Sequence, residues 1–445
     1  MNRQLSAAVI ASFRDADPSQ HRQQLQRFSA RQWHENFRWL DASGLALYFL
    51  QRLRSLEAES AIPDSILAQL EQRHADNEHR TAVLFNEFAR INAAFRCAGL
   101  RYAVLKGFTL VPDFCPNLSL RCQMDFDFLI ADDQAEPCRD LLASLGYSLM
   151  AANNHVLEFK SSAGQVPHIR DLYKAKPQHA VEVHLGDDSQ FEFHSGLLKH
   201  SRIVTTNGVN YPALSAEDMF LGVASHLFRH IRSEWTRISW LLELRHFVST
   251  RRKESAFWAA VRERGLQTSG TAVAVGVAIN LADRAFGKVE CDDLREWTVN
   301  NLPAPILSWT ERYGDEILFA HFPGNKLYLL LERELDGGRE TSLTIRRRLF
   351  PASRPARIAT TATGNILDKL QALQSEYQYF FFRLRFHLTQ TPRYLLEARR
   401  WKRFCKQRCG QSLADHQTAM PTPIADREAG HKSQGSYPSL TVKQQ

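Results

Sequence analysis

Residues Met124 to Ile130 read MDFDFLI, an apolar, strand-like run broken twice by a carboxylate. Successive side chains on a strand take opposite faces, so Asp125 and Asp127 share one face while Met124, Phe126 and Phe128 share the other. The two carboxylates converge. Like charges that close repel, and burying them is costly unless a cation or strong donors neutralise them. A divalent metal ion meets that demand directly. Oxygen ligands suit Mg²⁺ or Mn²⁺, and Mg²⁺ commonly takes one or two carboxylates with water and substrate phosphates completing its octahedron. The competing reading is a half-exposed strand whose aspartates simply face solvent.

Three neighbouring features weigh on that choice. RYAVLKG (Arg101 to Gly107) reads as a short strand ending at Lys106-Gly107, where a glycine admits close backbone approach to phosphate and a lysine adds a point charge. Arg121 lies four residues before Asp125. In VEVH (Val181 to His184) a strand again breaks its apolar run with a carboxylate, and Glu182 shares a face with His184. Three carboxylates on two strands beside a glycine turn can hold two metals ~3.5–4 Å apart, which stabilise both oxygens of an in-line phosphoryl displacement.

The pattern around these strands sets the organisation. Residues 1–98 read as helical, the clearest segment running from Asp64 to a stop at Gly99. From Arg101 to about Asp188 the order is strand, helix or turn, strand, helix, then three strands, which fits a small α/β domain with a mixed sheet. From Ser215 the helical period returns, opened by a capping box of Ser215 with Asp218. The expected class is α+β, with a helical lead-in at 1–98, a sheet domain at 99–212, a helical domain at 213–410 and a disordered polar tail at 411–445. A chain of 445 residues suits such a division.

Charge bears on the partner. The net charge of +8 favours something acidic: nucleotide phosphates, nucleic acid or an anionic membrane face. The run from Tyr379 to Arg408 joins aromatics to many arginines and lysines, and Arg346 to Arg348 form a second basic cluster. Either reads as a membrane-surface element, an RNA grip or a solvated basic face. No RNA-binding module motif is present, no apolar run reaches spanning length, and the N-terminus lacks the pattern of a signal peptide. Seven cysteines fall without disulfide or zinc-site spacing, so the expected setting is cytoplasmic, with peripheral contact to the membrane's inner face left open. The pair Cys405 and Cys409 has no second pair to complete a metal site. His226 and His230 stand i, i+4 on one helix face without a third ligand. Trp235 and Trp240 read as core, with base stacking the alternative.

Taken together, VLKG, Arg121, DFDFLI and VEVH resemble the DNA polymerase β-like nucleotidyltransferase superfamily. The likeness is greatest to uncharacterised nucleotidyltransferases of bacterial polysaccharide and peptide natural-product gene clusters. It covers roughly residues 30–350, and its specific part is Val104 to His184. Members usually carry a glycine-glycine or glycine-serine turn, two alternating aspartates on a strand and a third carboxylate on a later strand. Here Lys106-Gly107-Phe108 replaces the small pair, and Glu182 stands where many members have aspartate. SHLFRH supplies a histidine pair that the family also tends to carry.

The resemblance implies metal-dependent transfer of a nucleoside monophosphate from an NTP to the hydroxyl of a small molecule or sugar, with release of pyrophosphate. It implies Asp125, Asp127 and Glu182 as metal ligands, with Asp127 bridging and Glu182 helping to deprotonate the acceptor. Gly107 would let backbone donors meet the phosphates, and Lys106 or Arg121 would neutralise their charge. His184 would orient Glu182 or touch the acceptor. A catalytically silent nucleotide-binding or scaffolding protein, and a toxin-like enzyme that modifies protein or tRNA, are the alternatives on the same fold.

Overall fold

The computed structural model describes residues 2–15, 17–152, 155–161, 171–175, 179–186, 196–320, 322–335, 341–351 and 366–418. The chain divides after Glu397 into two units. The sheet, the helices packed on it and the candidate site all belong to the first.

Helices α1 (Arg3–Ala11), α2 (Pro18–Gln26), α3 (Ala30–Ser43) and α4 (Ala46–Ser55) lead into the long α5 (Asp64–Cys97). In α5, Leu84, Phe88, Ile91 and Phe95 recur three and four residues apart, and all are buried. This stripe covers the apolar face of the sheet. The Phe88 ring lies 5.0 Å from Phe108, 6.0 Å from Phe126, 6.2 Å from Phe128 and 4.9 Å from Tyr211. Burying each such ring contributes about 1.5–3 kcal/mol.

The sheet has seven strands: β1 (Tyr102–Val104), β2 (Phe126–Ile130), β3 (Ser148–Ala152), β4 (Val156–Lys160), β5 (Ala180–Leu185), β6 (Arg202–Thr206) and β7 (Val209–Ala213). Their order is β3-β4-β5-β2-β1-β7-β6. The sheet is mixed, as expected: β2 runs antiparallel to β1 and parallel to β5, and β7 runs parallel to β1. Helix α6 (Ala135–Ser144) links β2 to β3.

Two local differences from the sequence reading bear on the site. The strand expected over Met124–Ile130 begins only at Phe126, because the first ladder pair joins Phe126 to Val181. Met124 is therefore 40% exposed instead of sharing the core with Phe126 and Phe128. The chain ahead of the strand is held by polar side chains of α5. Asn77 Nδ2 donates to the carbonyls of Ser119 (2.8 Å) and Arg121 (3.3 Å), and Arg80 Nη2 donates to that of Gln123 (2.6 Å).

The second difference is the β6–β7 hairpin, which adds two strands to the five expected. Asn207 and Gly208 form its turn with φ of 46° and 78°, the left-handed pair that a two-residue hairpin favours.

Beyond the sheet follow α7 (Ala216–Ile231), α8 (Ile238–Arg251), α9 (Ser255–Gly265), α10 (Thr271–Phe286), α11 (Asp292–Arg295), α12 (Ala304–Leu318), α13 (Tyr328–Leu335), α14 (Thr341–Leu349) and α15 (Ile366–Thr418). Among the described residues no helix is long and apolar enough to cross a membrane. Residues 187–188, 419–445 and the side chain of Cys409 lie outside the described part. With them go the far end of the last expected strand, most of the polar tail and half of the Cys405/Cys409 pair.

Candidate functional site

The parallel pairing of β2 with β5 sets Asp127 directly beside Glu182. Partners in register point to the same face, and His184 follows Glu182 on that face. The apolar alternation of both strands thus turns all three side chains away from the α5 core. Asp127 is buried, and its Oδ1 lies 3.7 Å from His184 Nε2, which in turn is 3.8 Å from Glu182 Oε2. One potential ligand atom from each of these three residues lies within 4.8 Å of the other two. Two carboxylates and an imidazole on rigid strands fit a divalent cation.

Asp125 stands ahead of the strand, half-buried and outside this three-residue group, but close enough for its charge to be felt by Lys106, Arg121, Glu182 and Asp127. Glu158, opposite Glu182 on β4, adds a further exposed carboxylate at the rim.

Lys106 reaches into the acidic group. Its Nζ lies 2.9 Å from Asp127 Oδ1, with the lysine side chain only 15% exposed. Gly107 follows with φ of 80°. The positive φ favours glycine, and a Cβ built there would meet Gln123 Nε2 at 2.6 Å and displace that amide. Gln123 ties the edge together: it donates to the carbonyl of Asp125 and accepts from Arg121 Nη1.

Arg121 is engaged from its other side by Glu243 of α8 (3.3 Å), and Glu243 accepts the Tyr48 hydroxyl from α4 at 2.8 Å. The cation expected at the phosphates therefore already has a buried counter-ion. Gln123, Tyr48 and Glu243 lie far apart or carry no motif, and nothing in the sequence marks them.

Electrostatics divides the carboxylates. Burial works to raise the Asp127 carboxyl, but the charges and hydrogen bonds of Lys106 and His184 outweigh it and hold the group well below its usual range. Burial, then the Asp127 charge, raises Asp125. Glu182 is pushed up to about 7 by burial and by the charges of Asp127 and Asp125. Burial opposes the Lys106 charge, yet Asp127 and Asp125 carry its ammonium above the ordinary value.

The histidine pair closes one side. His226 and His230 on α7 have ring centres 4.6 Å apart, and Trp240 of α8 lies 5.3 Å from the first and 4.6 Å from the second. The Arg237 guanidinium stands 5.7 Å from the centre of the Trp240 ring. Trp235 and Trp240 are half-buried rather than core. Burial first, and then the Lys106 charge, lowers both histidines, His230 to about 4. Both are neutral at neutral pH. His226, Trp240, Lys106, Arg121 and Glu243 line one pocket, which adjoins the acidic group at Lys106.

No curated protein matches the chain. A family model described as "Uncharacterised nucleotidyltransferase" matches residues 29–287, a span that holds the whole sheet, Lys106-Gly107, the acidic group and the histidine pair. By that match over more than half its length, the chain belongs to this uncharacterised nucleotidyltransferase family.

Proposed function

We propose that the protein is a metal-dependent transferase of the DNA polymerase β-like superfamily. It would move a nucleoside monophosphate from an NTP to the hydroxyl of a small molecule or sugar and release pyrophosphate. The observation that carries this reading is the convergence of Asp127, Glu182 and His184 beside Lys106-Gly107. Asp127 and Glu182, with Asp125 and His184, would hold Mg²⁺ or Mn²⁺. A bound divalent cation would supply charge neutralisation for the attacking and leaving oxygens.

The chain's own residues do the rest. Glu182, at the solvent-reachable edge of the group, accepts the proton of the acceptor hydroxyl. His184 orients it from 3.8 Å. Gly107 lets the backbone approach the triphosphate, and Lys106 carries its charge to the departing pyrophosphate. The proposed setting is the cytosol, consistent with Cys97, Cys115, Cys138 and Cys291 being thiols.

The test is pyrophosphate release with each NTP, with and without Mg²⁺, across sugar and small-molecule acceptors. Asp125→Asn and Asp127→Asn are expected to lower the rate at least a hundredfold; equal rates in parent and variants would overturn the assignment.

One observation favours a second reading. Lys106 already pairs with Asp127 as a fixed cation would, which suits a protein that binds nucleotide without turning it over. Calorimetric NTP binding with no consumption over the same acceptors would decide for it.

A further inference from the structure

From Tyr377 to Leu396, α15 contains no acidic residue and three arginines, Arg383, Arg385 and Arg393. Its side chains sort by face. Phe386, Thr391 and Tyr394 are buried. On that side Arg383 Nη2 donates to Glu234 Oε1 at 3.0 Å, and His387 Nδ1 lies 2.7 Å from Lys326 Nζ.

An adjoining face carries Leu373, Tyr377, Phe380, Phe381, Leu384 and Leu388, between 41% and 67% exposed. Phe322, itself 56% exposed, stacks on Phe382 at 5.9 Å on another side of the helix. Soluble chains seldom leave so continuous an apolar stripe uncovered.

Charge flanks the stripe. Lys326 Nζ also donates to the carbonyls of Arg348 (2.9 Å) and Leu349 (3.2 Å) and to Thr391 Oγ1 (3.0 Å). That pins the last turn of α14 beside α15, and Arg346 and Arg347 on that turn are exposed, as is Arg385.

We infer that this face rests on an anionic phospholipid surface. Leucine and aromatic side chains of α15 enter the interfacial layer, and Arg346, Arg347 and Arg385 meet the headgroups. Charge complementarity selects this occupant. Two copies packed stripe to stripe would bring these arginines together, and the nearest carboxylates of α15, Glu376 and Glu397, lie outside the arginine-bearing stretch. An anionic leaflet supplies the missing sign. The contact lies in the plane of the surface, since no described helix can cross it. It is independent of nucleotidyl transfer.

The full chain is tested by flotation with vesicles of phosphatidylcholine alone and of phosphatidylcholine mixed with phosphatidylglycerol. Binding is expected only to the mixed vesicles, weakening as salt screens the headgroups. Arg346→Glu with Arg347→Glu is expected to weaken it by about fivefold or more per arginine. Replacing Phe381, Leu384 and Leu388 by serine is expected to abolish it with an unchanged melting curve; should that variant fail to fold, the arginine pair decides alone.

Three results would overturn the inference: a parent chain that ignores anionic vesicles, variants that bind as the parent does, or a dimeric parent that the serine changes make monomeric.

Discussion

Replacing Lys106 by methionine keeps the length of its stem and removes its charge. The ammonium sits 2.9 Å from Asp127 Oδ1, with the two side chains 15% and 1% exposed. Across that distance, at an effective dielectric of about 20, the attraction is about 6 kcal/mol before the cost of desolvating the pair is subtracted. Taking away one member leaves a buried carboxylate beside Asp125 and Glu182. The loss expected for a buried pair broken this way is about 3–5 kcal/mol. Denaturant unfolding of parent and variant in the presence of a chelator at neutral pH measures it.

A divalent cation should then restore the variant more than it stabilises the parent, because in the parent Lys106 competes for Asp127. At a hundred times its Kd, such an ion recovers about 2.7 kcal/mol. The reasoning is refuted if the variant unfolds within about 0.5 kcal/mol of the parent without metal, or if Mn²⁺ stabilises both chains equally.

The remaining predictions concern the same neighbourhood. Glu182 is raised to about 7 from 4.5, so over that window the folded chain holds a proton that the unfolded chain has lost. Stability in chelator should therefore rise as pH falls from about 7.5 to 5, by about 1–2 kcal/mol once screening of a one-third exposed side chain is allowed for. The lowered carboxyl of Asp127 stays ionised throughout that window. Glu182→Gln should flatten the slope, and an unchanged slope counts against the assignment.

Gly107→Ala forces a Cβ into Gln123 at a positive φ; it should cost about 1–3 kcal/mol and raise KM for the NTP, both read from unfolding and rate curves. Tyr48→Phe removes one hydrogen bond to Glu243 and should cost about 1 kcal/mol. Glu243→Gln leaves Arg121 without its buried counter-ion and should cost about 3 kcal/mol. Reversal of that order in thermal melts would show that Arg121 is not held through Glu243.

Period-two alternation is a local property, and it was enough to put Asp127 on one face and Glu182 with His184 on another strand's face. The register that places Asp127 beside Glu182 is tertiary. So is the point where pairing begins, which leaves Asp125 ahead of the strand. Helical spacing likewise showed the apolar stripe of α5 but not that Asn77 and Arg80, on the same helix, fasten the backbone in front of Asp125.

Glu243 became the partner of Arg121 only through the packing of α8, more than a hundred residues along the chain. The hairpin of β6 and β7 shows the opposite case. Asn207-Gly208 is a readable turn, but β6 is so exposed, with Ile203 at 69%, that its flanks lack the apolar alternation that marks a strand.

The parallel seam between β2 and β5 also sets when the acidic group can assemble during synthesis. Helix α6 and the β3–β4 hairpin intervene in the chain, and β5 must slot between β4 and β2 to join them. Closing so long a loop comes late relative to local helix formation. A nascent chain that has emerged only as far as β4 has Lys106, Asp125 and Asp127 but no Glu182 or His184. It has no assembled acidic group. The acidic group would therefore assemble only with β5, and β7, α7 and α8, which complete the sheet and line the adjoining pocket, follow later still in the chain.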